Sequence, residues 1–413
     1  MKFSEVIGHA AIKEKISSMI GGTTLPHAIM VMAAEGSGGL PMALAIAQNL
    51  VCEQRGGKQE VGGDIYSTAT MFGESLPAPT ALATATDACG ECSACHKAQK
   101  YIHPDIHYTY PVVKIEGKDK PPLSTDYISQ WRKALTEQPY LNINDWLAQI
   151  GAENKQGNIT VNECHEIIRC LSLKTYESKY KIQIIWMAEY LREAGNTLLK
   201  IIEEPPADTV FILVVENIEA VLNTVISRTQ LFKLPAIEDT DMVAYLLTQY
   251  EITDNNALKI ARIADGNLHA AIEYAGGTDH AGDVQLREWL SLCLRIKNPQ
   301  AAEASAKLLT WVEDMAKIGR ENQKIFLKYF LWFLRESNLL SIGLDSEKLE
   351  GSELDFAKKL ATLLYPEATE LLMQVINRTH YYIERNASAK IIFQSASFKI
   401  ASILRHEDVL IAY

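Results

Sequence analysis

The sequence predicts a parallel α/β sheet, interrupted by a cysteine-rich module and followed by an all-helical region. Three observations carry this. The runs "HAIMVM" (27–32), "YKIQIIWMA" (180–188) and "TVFILVVE" (209–216) are continuous and apolar, as strands buried on both faces are. Helix-periodic segments separate them, and that alternation builds a parallel sheet. Beyond Pro235 such runs cease and helical spacing takes over. A chain of 413 residues has room for two or three domains at about 150 residues each.

Taken in order, Gly8 to Ile20 has helical spacing through Ala11, Ile12, Ile16 and Ile20, and His27 to Ala33 is the first buried strand. Pro41 to Cys52 is the next helix. Residues 53–88, rich in Gly, Ala, Thr and Pro without a sustained period, are expected to form a flexible insertion. A cysteine knuckle follows at 89–95, then a strand-like stretch, "HPDIHYTYPVV" (103–113). Residues 124–150 read as helical and include Trp131 and Trp146, and 159–173 is an amphipathic helix. After the strand at 180–188, a helix over 191–206 is stopped by Pro205 and Pro206, which cannot continue its hydrogen bonding. The strand at 209–216 and a short last one within 226–235 complete the sheet. Residues 236–278 form a small helical unit. The rest, 279–413, is helical throughout, with runs such as "KIFLKYFLWFLRESNLL".

Composition is that of an ordinary water-soluble protein: 47% hydrophobic and 22% charged. A formal charge of −11 argues against tight DNA binding by the chain alone, because backbone affinity comes from Lys and Arg neutralising phosphates. The first residues lack the apolar core of a signal peptide, and no stretch of about 18 uncharged apolar residues occurs. A cytoplasmic protein without membrane association is expected.

Three constellations carry chemistry. The first is "AAEGSGGL" (33–40), lying between a strand and a helix as a phosphate-binding loop does. A working loop reads G-x-x-x-x-G-K-[ST]: backbone N–H groups cradle phosphates, Lys reaches the β/γ oxygens and the hydroxyl ligates Mg²⁺. Here Ala33 stands for the first Gly and Gly38 for the last; Gly39 replaces the Lys and Leu40 the hydroxyl residue. Gly36 and Gly38 still permit the turn. Alone, the stretch also reads as an ordinary Gly-rich turn. The strand at 182–187 adds weight, because the acid that should end it is missing: Trp186 and Met187 occupy those positions, and neither can hold Mg²⁺. Loss at both metal-binding positions predicts a chain that does not hydrolyse ATP.

The second is Cys89-Gly90-Glu91-Cys92-Ser93-Ala94-Cys95. Three thiolates at C-x₂-C-x₂-C spacing can share one ion, and a fourth ligand would complete tetrahedral, structural zinc. Cys52, at the end of the helix after the loop, is the expected fourth; His96 and His103 are its rivals. "CSACH" also fits a haem-attachment pattern, which needs export, and an iron–sulfur cluster would need a further Cys after Cys95. Cys164, Cys170 and Cys293 read as small buried hydrophobes. The third is Ser227-Arg228-Thr229, where Arg228 is either a plain surface charge or a cation supplied to a neighbour's γ-phosphate.

In this order, the loop, the knuckle, "HPDIHYTYP", "NTLLKIIEEPPADTVFILVVEN" and "TVISRTQLFKLP" resemble the clamp-loader subunits of bacterial DNA polymerase III, which are AAA+ proteins. The motifs match over 1–52, 89–113 and 159–275, while the last 140 or so residues match in length and helicity. The family motif Ser-Arg-Cys aligns with Ser227-Arg228-Thr229, so the resemblance implies that Arg228 is an arginine finger acting in trans. The family's second sensor falls near His269, and its polar strand-end sensor at Val215-Glu216; both depart from the active pattern. The implied architecture is an AAA+ base over 1–235 with a zinc module at 52–95, a helical lid over 236–278 and a collar for oligomerisation over 279–413. The implied partners are the gamma/tau ATPase subunits and the delta subunit, with the sliding clamp engaged indirectly and primer–template DNA held within the complex. Two other readings are an active P-loop NTPase and a zinc-knuckle nucleic-acid-binding protein outside replication. The missing Lys, hydroxyl and acid oppose the first. The acidic balance opposes the second, as does a knuckle holding Glu91 and no Lys or Arg.

Overall fold

The computed structural model describes residues 1–22, 25–54, 87–113, 121–152, 155–276, 282–296, 301–346, 349, 351–385 and 387–407. The expected insertion at 53–88 therefore falls almost wholly outside the described residues. The chain divides into two compact units, Met1–Asp254 with Ala264–Ile272, and Asn255–Ile263 with Glu273–Tyr413.

The first unit is built on five parallel strands: β1 (Ala28–Met32), β2 (Ile106–Thr109), β3 (Lys181–Trp186), β4 (Thr209–Val215) and β5 (Gln230–Lys233), in the order β2-β3-β4-β1-β5. Every residue of β3 and β4 is buried. That explains their unbroken apolar runs: helices cover both faces, so the usual polar-out alternation has no place. The alternation survives as a sorting of side chains between two cores. Ile29, Val31, Ile182, Ile184, Ile212 and Val214 face one; Met30, Ile185, Phe211 and Leu213 face the other.

The connecting helices are α1 (Ala10–Gly21), α2 (Gly39–Val51), α3 (Ser93–Gln99), α4 (Ile128–Glu137), α5 (Ile143–Gln149), α6 (Val161–Ser172), α7 (Leu199–Glu203) and α8 (Asn223–Ile226). All residues of α2 are buried, as its near-continuous apolar sequence requires. Two expected helices are refined. Residues 124–150 form a 3₁₀ turn (Ser124–Tyr127) and then α4 and α5 rather than one helix. The expected helix at 191–206 is a 3₁₀ run over Ala188–Leu198, broken at Arg192 (φ 46, ψ −134), and only then α7. A residue with those angles cannot pass on the i→i−4 ladder, so the apolar spacing of Leu191, Leu198 and Ile202 is met by two short pieces. The chain does leave the helix before Pro205, as expected.

Beyond the sheet come α9 (Asp239–Gln249), α10 (Asp254–Ala264) and α11 (Leu268–Gly276), then α12 (Gly282–Arg295), α13 (Ala301–Lys317), α14 (Arg320–Ser341), α15 (Gly351–Ala361), α16 (Pro366–Glu384) and α17 (Ala389–Ile403). The second unit is helical in all its described elements. Its core centres on Trp289, stacked on Trp311 at 4.9 Å and ringed by Phe326, Phe330 and Phe393. The Trp289 indole donates to Ser397 Oγ (2.8 Å), which satisfies its buried N–H.

Candidate nucleotide site and metal centre

The loop after β1 lies at the carboxyl ends of the strands, where open α/β sheets bind ligands. Its backbone keeps the required shape. Gly36 and Gly38 have positive φ (68° and 93°), and Gly38 caps the start of α2. Its interior does not. A Cβ at Gly39, where Lys is expected, would lie 2.9 Å from Ala33 Cβ and 3.1 Å from Val214 Cγ1. The glycine is there because the backbone packs directly on the sheet, so a side chain is excluded as well as absent. The Tyr140 ring closes over Gly38, and its hydroxyl accepts from the Ile7 N–H (2.8 Å). Ala33, Gly36, Gly39, Tyr140, Trp186 and Glu216 enclose only about 20 Å³. That holds roughly one water, whereas ligand pockets run to about 300 Å³ or more.

Trp186, at the position of the missing acid, is 2% exposed and packs 5.2 Å from Trp131. Trp131 in turn stacks on Tyr110 (4.2 Å) and meets Trp146 edge-on (5.1 Å). An aromatic core therefore fills the metal-binding corner. Met187 beside it is buried with φ 56°. The ionisable groups beside it are carboxyls, held towards their neutral form. Burial pushes the Glu216 carboxyl up to about 8, with Glu35 and Glu189 adding to the rise. Burial also raises Glu189, whose Oε1 accepts the N–H groups of Glu216 and Asn217 (3.0 and 3.2 Å).

A pH dependence follows for Glu216. Its ordinary value is 4.5, so between about 4.5 and 8 the folded chain holds a proton that the unfolded chain has released. Stability should therefore fall as pH rises across that window, by at most about 1.4 kcal/mol per unit. Glu216→Gln should flatten the slope. Urea midpoints at pH 6 and pH 9 measure this, and equal slopes in both proteins would refute it.

The cysteines converge. The sulfurs of Cys52, Cys89, Cys92 and Cys95 all lie within 4.8 Å of one another, with Cys89 and Cys95 at 3.8 Å. Four sulfurs around an ion at about 2.3 Å stand about 3.8 Å apart, so the set fits a tetrahedral metal. The local fold supports it. Cys52 ends α2, and Cys92 caps α3, its sulfur accepting from the Cys95 N–H (3.4 Å). N–H groups of Glu91 and Cys92 point at Cys89 Sγ (3.5 and 3.4 Å), and that of Cys89 at Cys52 Sγ (3.3 Å). Burial raises the Cys89 thiol, but those two N–H groups, together with the Cys52 and Cys92 thiols, outweigh it and hold the group down to about 7. Burial pushes Cys52 and Cys95 up, the direction that a bound cation would reverse. The rival His103 faces Glu177 instead, with Nε2 3.3 Å from Oε1. His96 is not among the converging groups.

Arg228 follows α8 on the surface. Its Nε pairs with Glu203 Oε2 (3.0 Å), and Nη1 donates to the Thr224 carbonyl (2.9 Å). His269, near the expected second sensor, is buried with Nε2 3.1 Å from Asp145 Oδ2. Sequence reasoning missed Tyr140 and Asn267 as loop contacts. They come from distant parts of the chain and belong to no motif.

A family model described as "DNA polymerase III, delta subunit" matches residues 62–238. The DNA polymerase III subunit delta' of Haemophilus influenzae is 25% identical over 60% of this chain and 54% of its own length. Subunit gamma of Buchnera aphidicola from Acyrthosiphon pisum is 27% identical over 46% of this chain and 57% of its own. Subunit delta' of Escherichia coli is 22% identical over 70% of each. The chain thus spans little more than half the length of the first two. Together with the phosphate-loop frame at the head of a parallel sheet, these matches make the chain similar to one class of protein, the subunits of bacterial DNA polymerase III. Within that class, the likeness is to delta prime, the subunit that the Haemophilus and Escherichia relatives are named for. Among the described residues no helix is long and apolar enough to cross a membrane.

Proposed function

We propose that this chain is a non-hydrolysing subunit of a cytoplasmic clamp loader, of the delta prime kind. It would help load the sliding clamp on primer–template DNA within a complex with gamma/tau and delta subunits. The observation that carries the non-hydrolysing reading is Gly39, pressed against Ala33 and Val214 in a space of about 20 Å³. Trp186 at the acid position supports it independently. Arg228 would serve the ATP site of an adjacent ATPase subunit. Its half-buried place at the surface and its tether to the exposed Glu203, easily exchanged for a phosphate, favour this. The four cysteines would hold one structural Zn²⁺, with no open position for chemistry. Residues 236–278 would act as the lid and 279–413 as the collar.

Titration calorimetry with Mg·ATP tests the central claim. No binding heat is expected from the chain, and Gly39→Lys should not create any. That substitution should instead destabilise the fold by about 1–3 kcal/mol through overpacking. Tight, Mg²⁺-dependent binding by either protein would overturn the reading.

A further inference from the structure

The loop's surroundings hold more than an absence. Asn267, just before α11, lies against Gly36 so closely that a Cβ on that glycine would sit 1.8 Å from Asn267 Oδ1. The Leu268 N–H donates to the Gly36 carbonyl (3.0 Å). The Asn267 amide donates to Glu35 Oε1 (3.4 Å), which the Asn142 amide also approaches (3.5 Å). On the other flank, His9 Nε2 lies 2.7 Å from the Ser37 carbonyl. The loop is thus held from the caps that precede α1 and α5 and from Ala264–Ile272, a segment 231 residues downstream of Gly36 at Asn267. That segment belongs to the same compact unit as the sheet.

In a working site a bound nucleotide links the loop to whatever closes over it, and the link is lost on release. We propose that Asn267, with Glu35 and Leu268, is a built-in substitute for that ligand: it latches Ala264–Ile272 to the loop permanently, whatever the nucleotide state. The proposal rests on the reading of the loop as a closed site. It explains why position 36 must be glycine on two counts, the positive φ and the side chain pressed against it. It also gives Glu35 a partner that a phosphate-binding loop would not need.

Asn267 has a second contact, since its Oδ1 accepts from the Ala270 N–H (3.0 Å) and caps α11. The variants must separate latch from cap. Asn267→Asp keeps the capping oxygen but turns the donor facing Glu35 into a second carboxylate; Asn267→Ala removes both contacts. Hydrogen exchange on the full chain, read in peptides covering 33–40 and 264–272, is the measurement. Both variants should speed exchange in both peptides by about tenfold, the worth of one or two hydrogen bonds. Peptides of β3 and β4 should not change. Wild-type exchange should be the same with and without millimolar Mg·ATP. Wild-type rates in Asn267→Asp, with faster exchange only in Asn267→Ala and only in 264–272, would reduce the residue to a cap and overturn the latch. Protection by Mg·ATP in the wild type would instead overturn the closed-site reading on which the latch rests.

Discussion

Arg228→Ala should lower the clamp- and DNA-stimulated ATPase of a reconstituted loader while the complex still assembles. An arginine finger contributes roughly 10³–10⁵ in rate at the site it enters. Only the neighbouring site would lose it, so the total rate should fall towards the contribution of the remaining sites. Little else should change. The side chain's own contacts are a surface pair with Glu203, worth about 0–1 kcal/mol, and bonds to the Thr224 carbonyl and Ser227 Oγ. Arg228→Lys should be nearly as poor, because an ammonium lacks the planar fork that grips two phosphate oxygens. A coupled phosphate-release assay beside gel filtration makes the comparison. Unchanged turnover in Arg228→Ala would remove the residue from the mechanism.

The largest effect on stability should come from the cysteines. The purified chain should contain one zinc, and Cys95→Ser or Cys52→Ser should lose it; His96→Ala should keep it. Cys95 is fully buried, and with Cys52 and Cys92 it ties the start of α3 to the end of α2. Losing the ion leaves three thiols crowded with no cation between them. Binding free energies of structural zinc reach about 10 kcal/mol in small domains, so a drop of several kcal/mol is expected here. Metal analysis and thermal melts, with and without chelator, decide it. One zinc retained in Cys52→Ser would assign the fourth ligand elsewhere.

The legible parts of this protein were those whose signal is local. Strands β1, β3 and β4 appear as apolar runs because each is buried on both faces. The knuckle is written in its spacing, and Cys52 could be added because a helix end fixes where it points. What stayed hidden depends on distant partners or on the backbone. Gly39 reads in the sequence as a lost lysine; only Ala33 and Val214 together reveal that nothing larger fits. Asn267 and Gly36 are too far apart along the chain for any motif to link them. The broken segment at 188–198 reads as a helix because side-chain spacing does not record that Met187 and Arg192 adopt left-handed angles. Arg228 is visible as a residue, but the role proposed for it depends on a neighbour outside the chain.

The aromatic corner around Trp186 has a consequence for the paths open to this sequence. A return to ATP turnover would need a lysine at 39, a hydroxyl at 40 and an acid at 186. Gly39→Lys strikes the sheet. Trp186→Asp would leave a carboxylate in the space vacated beside Trp131, buried without a cation to meet it. The steps at 39 and 186 each lower stability, and room for a nucleotide requires Tyr140 and Asn267 to move as well. On the proposed closed-site reading no single substitution supplies the chemistry, because Tyr140, Trp186 and Asn267 together occupy the space.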